Sequence, residues 1–179
     1  MRLEPIPRPS SFLGRVMSLG MRRVLGQAIT PAQVLYNRVP RMWNVAWANL
    51  RLTNSLAMSR ELALLLQTQI ALRNGCEFCA DIARAFAIRQ AMGIERFDAL
   101  ACWQESEVFD DAERAALAYA EAMSDRCVDD AVFEQLRKHW SEREIAEITA
   151  VCALENYYNL INLALEIPSD GLERLALAG

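Results

Sequence analysis

Apolar side chains recur every three or four residues along most of this chain, and no stretch alternates apolar with polar for long. That period puts apolar groups on one face of a helix, whereas a half-buried strand needs a period of two. The chain therefore reads as all-α. Phe12 to Leu25 fits a basic amphipathic helix, with Phe12, Val16, Leu19 and Val24 off its arginine side. Pro31 suits the first turn of a short helix that ends before Pro40, and Arg41 to Ser55 carries Trp43, Trp47 and Leu50 on one face. Ser59 opens the apolar run Glu61 to Arg73, and a second run, Ala80 to Met92, stops at Gly93. A short helix spans Glu95 to Trp103, and Asp129 or Asp130 starts one that ends at His139. Asp110-x-x-Glu113 and Ser141-x-x-Glu144 are capping boxes, opening helices that run to Met123 and Leu165. Pro168 and Gly171 end the last of these.

Between the two central runs lies Asn74-Gly75-Cys76-Glu77-Phe78-Cys79-Ala80-Asp81. Asn-Gly is a helix stop, because glycine enters the left-handed region without steric cost. The thiols thus sit where a new helix begins, and there unpaired amides and the helix dipole favour a thiolate. By that argument Cys76, nearer the free amides and more exposed, is the better nucleophile. A zinc site needs about four ligands, and no second Cys pair or nearby His exists. Cys102, Cys127 and Cys152 each stand alone, and the sole histidine, His139, reads as a surface or capping residue.

At 179 residues, 53% of them hydrophobic, the chain is long enough for a real core and apolar enough to suggest a homo-oligomer. Its net charge of −4 argues against a nucleic-acid binder. The charge is uneven: residues 1–60 hold nine Arg against one Glu, and the rest hold ten Lys and Arg against 22 Asp and Glu. Residues 1–30 therefore read as a basic arm docked on an acidic body, and residues 31–179 as a single all-α domain. No run approaches the ~18 apolar residues of a membrane span, and the first residues lack a signal core. A cytoplasmic protein without membrane contact is expected, in which any disulfide is transient and catalytic.

One echo appears at an offset of 82. Ser59 aligns with Ser141, and Ala71-Leu72-x-Asn74 with Ala153-Leu154-x-Asn156, as in two pseudo-equivalent helical halves. Cys152, Glu155, Asn156, Asn159 and Asn162 recur at three-to-four spacing on an otherwise apolar helix. Such a buried polar stripe has to be hydrogen-bonded, so a network that fixes packing is expected, and by the echo it faces the thiols.

The thiol motif resembles that of the alkyl hydroperoxidase D and carboxymuconolactone decarboxylase-like family. So do Glu113-Arg114-Ala115-Ala116-Leu117-Ala118-Tyr119-Ala120, Ser141-Glu142-Arg143-Glu144-Ile145 and Glu155-Asn156-Tyr157-Tyr158-Asn159-Leu160-Ile161-Asn162. The likeness spans roughly residues 40–170. It implies a hydroperoxidase D-like helical bundle in tandem halves, oligomeric, reducing organic hydroperoxides through a dithiol/disulfide pair. It implies Cys79 as the peroxidatic thiol and Cys76 as the resolving one, a small-molecule hydroperoxide as substrate, and an unidentified protein thiol as reductant. No cofactor or metal is implied.

The chain departs from the family's pattern in its proton relay. Where the family has a His four residues after the second cysteine stands Ala83, and where it has a Glu twelve residues before the first stands Leu64. Three residues are candidate replacements: Glu61, about one turn before Leu64; Arg84, about one turn from Cys79, as a thiolate stabiliser; and Glu155. Asp81 reads as solvated. With the relay lost, the alternative is a weakened thiol–disulfide partner or binding protein on the same fold. Lactone decarboxylation, the family's other named activity, also needs an acid/base group and ranks behind both.

Overall fold

The computed structural model describes residues 1–178, and every regular element among them is helical. An extended lead is followed by α1 (Phe12–Leu25), one π-helical turn (Ala32–Tyr36), α2 (Met42–Thr53), α3 (Arg60–Asn74) and α4 (Glu77–Arg89). Then come α5 (Ile94–Asp98) with a 3-10 turn (Ala99–Cys102), α6 (Asp111–Ser124), α7 (Asp130–His139), α8 (Glu142–Ala164) and α9 (Leu172–Leu177). None of these helices is long and apolar enough to cross a membrane.

Helix α3 is the axis of the bundle. Leu62 through Leu66 are all buried, and so are Thr68, Gln69, Ile70 and Ala71. A helix that is apolar on every side must be covered on every side, and α4, α6 and α8 pack around it. The core falls into two clusters. Leu65, Leu66, Leu117, Leu136 and Ile148 fill the space between α3, α6, α7 and α8. Leu25, Val34, Trp43, Phe78 and Leu172 fill the space beside α4, under α1 and α9.

Local chemistry sets the helix ends. Ser59, Asp110, Asp129 and Ser141 each accept a first-turn amide through the side chain, and both expected capping boxes close reciprocally. The two echoed serines are therefore equivalent caps, and the echoed asparagines meet: Asn74 Nδ2 donates to Asn156 Oδ1 at 2.9 Å.

Three features differ from the sequence reading. Helix α9 follows Gly171, in a stretch to which the sequence reading assigned no helix. Asp81 is not solvated. It is 8% exposed and accepts the Leu172 and Glu173 amides at 2.9 and 2.8 Å and the Ser169 hydroxyl at 2.9 Å, so it caps α9 from a distant turn of α4. Helix α1 lies with its other face inward: Leu13, Met17, Met21 and Leu25 pack, whereas Phe12, Val16, Leu19 and Val24 are exposed. Gly14 fixes this seating, because a Cβ there would lie 2.6 Å from Trp43 Nε1.

In the N-terminal segment charge acts at one point, Glu166, which Arg2 and the Met1 amino group both approach. Of the nine arginines in residues 1–60, only Arg2 pairs with a carboxylate among the described residues, that of Glu166 at 3.0 Å. Hydrogen bonds to backbone carbonyls hold the rest of the segment. The Arg2 amide donates to Leu165 O and the Ile6 amide to Gln33 O, both at 3.0 Å, while Asn37 Nδ2 reaches Ile6 O at 2.6 Å.

Candidate active site

Gly75, at φ 71°, turns the chain out of α3 and lets the Cys76 amide donate to Ala71 O at 2.8 Å. Nothing lies within 4 Å of a Cβ built on it, so glycine is required there by conformation and not by space. The turn is tight enough that α4 begins at once. Cys76 is its N-cap and Cys79 lies in its first turn, so both thiols sit at a helix start as their spacing after Asn-Gly implies. The two are joined as a disulfide, with Cα atoms 5.3 Å apart.

Both cysteines are buried, Cys76 at 2% and Cys79 at 3% exposure, so the expectation that Cys76 is the more exposed does not hold. What separates them is a cavity of about 230 Å³ that Cys79 lines and Cys76 does not. Its walls are mostly hydrocarbon: Met17, Met21 and Leu25 from α1, Leu64 from α3, Phe78, Ile82 and Phe86 from α4, and Ile161 from α8. Leu64 and Ala83, the positions where the family's pattern has Glu and His, both line this cavity. The relay positions are thus in place, and their side chains are apolar.

The polar groups come from α8. Asn162 Nδ2 donates to Cys79 Sγ at 3.2 Å, a contact that would stabilise a thiolate once the disulfide is reduced. Asn159 Nδ2 donates to Glu155 Oε1 at 2.5 Å, and Asn74 Nδ2 donates to Asn159 Oδ1 at 3.0 Å. The stripe is therefore hydrogen-bonded in two pieces: Asn74, Asn156, Asn159 and Glu155 form one network, and Asn162 meets the Cys79 sulfur separately. Glu155 lines the cavity at 6% exposure. Burial pushes its carboxyl up to about 8, and the Asn159 hydrogen bond offsets only part of that rise. It is mostly protonated at neutral pH, which suits it to give a proton to a leaving group. Burial and the nearby Glu155 carboxyl push the Cys152 thiol up to about 12, which leaves it inert.

Glu61 and Arg84 do not reach this cavity, contrary to expectation. Glu61 accepts from Arg96 Nη1 at 2.7 Å in a bridge that Arg96 extends to Glu113, tying α3 to α5 and α6. Arg84 is held by Glu173 at 2.8 Å and Asp98 at 2.6 Å, tying α4 to α9 and α5. The reason is rotational. Five residues along a helix turn a side chain by roughly 140°, so Arg84 leaves on the far side of α4 from Cys79, whereas Ala83, at four residues, returns to it. Sequence reasoning missed Arg60, Gln67, Asn49 and Tyr158, which also line the cavity. Arg60, Leu64 and Gln67 share one face at three-to-four spacing, a signal hidden because the cavity itself was not foreseeable.

Comparison with known proteins places this geometry. The model of the Carboxymuconolactone decarboxylase family matches residues 36–122. The protein YnjA of Escherichia coli (strain K12) is 32% identical over 181 residues, covering 97% of this chain and 93% of YnjA. Among solved structures, the debrominase Bmp8 bound to 2,3,4-tribromopyrrole superposes with a TM-score of 0.85, at 22% identity over 99% of this chain and 96% of that one. A peroxidase-related protein of Ralstonia eutropha JMP134, an alkylhydroperoxidase AhpD core, gives 0.75 at 16% identity, covering 97% of each chain. These two likenesses establish the all-α hydroperoxidase D-like fold.

Proposed function

Since this chain belongs to the carboxymuconolactone decarboxylase family, we propose that it reduces organic hydroperoxides through Cys79 and Cys76. The observation that carries this reading is the cavity: an apolar pocket with the Cys79 sulfur in its wall and a raised-pKa carboxyl, Glu155, in the same wall. In the reduced protein the Cys79 thiolate attacks the distal oxygen of the hydroperoxide, and the O–O bond breaks. The departing alkoxide takes the Glu155 proton and leaves as the alcohol. Cys79, now a sulfenic acid, is attacked by the Cys76 thiol. A water molecule leaves and the disulfide closes. An external dithiol restores the pair, so one hydroperoxide consumes two thiols and yields one alcohol and one water.

Cys79→Ser is expected to abolish turnover of cumene hydroperoxide by the reduced protein, measured as thiol-dependent peroxide loss. Turnover at the wild-type rate would overturn the assignment. A second reading has its own support in the likeness to a debrominase: one thiolate takes bromine from a halogenated pyrrole as an S–Br bond while the ring carbon gains a proton, and the second thiol displaces bromide as the disulfide forms. Supplying reduced protein with either cumene hydroperoxide or tribromopyrrole and following disulfide formation separates the two. The exposed row Phe12, Val16 and Leu19 on α1 supports a homo-oligomer, which light scattering tests.

A further inference from the structure

The cavity holds a cation without a counter-ion. Arg60 lines it from the first turn of α3, half-buried, and its guanidinium has neither a carboxylate partner nor a hydrogen-bond acceptor among the described residues. Elsewhere in the body the bound arginines are committed: Arg73 to Asp125, Arg84 to Asp98 and Glu173, Arg96 to Glu61 and Glu113, Arg143 to Glu147. Burial lowers the Arg60 pKa with nothing to offset it. A partly desolvated guanidinium lining an apolar space gains from an anion that completes it, and its planar fork matches a carboxylate. Glu155 does not serve as that anion. No ion pair joins the two, and Glu155 is mostly neutral at pH 7. Of the wall residues, Leu50 is 44% exposed while Cys79 and Phe78 are buried.

We infer that the cavity is built for an amphiphile, with an apolar body lying against Met17, Leu64 and Phe86 toward Cys79 and a carboxylate paired with Arg60. This rests on the cavity being the substrate site of the proposed function, and it narrows the substrate class to hydroperoxides of carboxylic acids with an aliphatic chain. Gln67, on the same face of α3 and without a hydrogen-bond partner among the described residues, can donate a second hydrogen bond to the same carboxylate.

Octanoate and octan-1-ol are the binding probes, titrated calorimetrically into the full chain with its disulfide intact. Octanoate is expected to bind more tightly than octan-1-ol. That preference should fall about tenfold in Arg60→Gln and return in part in Arg60→Lys, the loss expected for one charged hydrogen-bonded pair. In turnover, the ratio of kcat/KM for linoleic acid hydroperoxide to that for cumene hydroperoxide should drop by a similar factor in Arg60→Gln. Equal binding of the two probes by the wild type, or an unchanged preference in a folded Arg60→Gln protein, overturns the inference. Octanoate binding needs no thiol, so it reads the anion site even if no peroxide is reduced. Conversely, peroxide turnover without an octanoate preference removes the anion site and leaves the peroxidase reading standing.

Discussion

At the scale of single residues, the central group is Glu155, whose carboxyl is neutral because it is buried beside hydrocarbon and not because an acid neighbours it. Its proton is held near pH 8 in the folded chain but only near 4.5 once unfolded. Between those values the folded state binds the extra proton, so this residue's contribution to stability is fullest at low pH and is lost as pH rises toward 8. Denaturant midpoints of the oxidised protein are therefore expected to fall from pH ~5 to ~8, and Glu155→Gln should flatten that fall. The other ionisable groups on the cavity wall, Arg60, Tyr36 and Tyr158, do not change charge in that window, and the Cys152 thiol does not either. If Glu155 also gives the proton to the departing alkoxide, Glu155→Gln should lower kcat by about 10²-fold. Wild-type kcat should decline above pH ~8, which stopped-flow rates across pH would show.

At the scale of elements, the corner between α3 and α4 and the cap on α9 carry the geometry. Gly75→Ala forces a Cβ into a left-handed conformation with open space around it, so the expected loss is the backbone cost alone, about 1–2 kcal/mol by urea unfolding. Asp81 is placed to hold α9 by two amides and a hydroxyl. Asp81→Ala should cost about 0.5–2 kcal/mol, in line with the loss of other helix caps. It should also raise amide exchange at Leu172 and Glu173 before any in α3, because α3 is covered on every side whereas α9 is packed mainly by α4 and α1.

For the molecule as a whole, the site exists because three separated segments converge: α1 roofs the cavity, α3 and α4 supply the thiol corner, and α8 supplies the carboxyl and amides. The roof is seated by Gly14 against Trp43. Gly14→Ala has the Trp43 ring and Pro9 in its way, and overpacking of that kind costs about 1–3 kcal/mol. Hydrogen exchange in residues 12–25 should rise in that variant and octanoate affinity should fall, since Met17, Met21 and Leu25 form part of the wall.

The helices are legible in the residue order alone, because capping and glycine stops act within four residues of where they are written: Ser59, Asp110, Asp129, Ser141 and Gly75 all do what their local chemistry requires. That order also puts Cys76 and Cys79 close together, since a spacing of three at a helix start allows little else. Which thiol meets the cavity emerges only once the helices are packed together. The packing also makes Arg84 and Glu61 structural ion pairs, lets Asp81 cap a helix starting 91 residues further on, and leaves Arg60 unpaired among the described residues. Those outcomes depend on how far each helix rotates about its axis and on which neighbour it packs against. Neither is set by the spacing of residues along one helix; both follow from how the separate faces fit around α3.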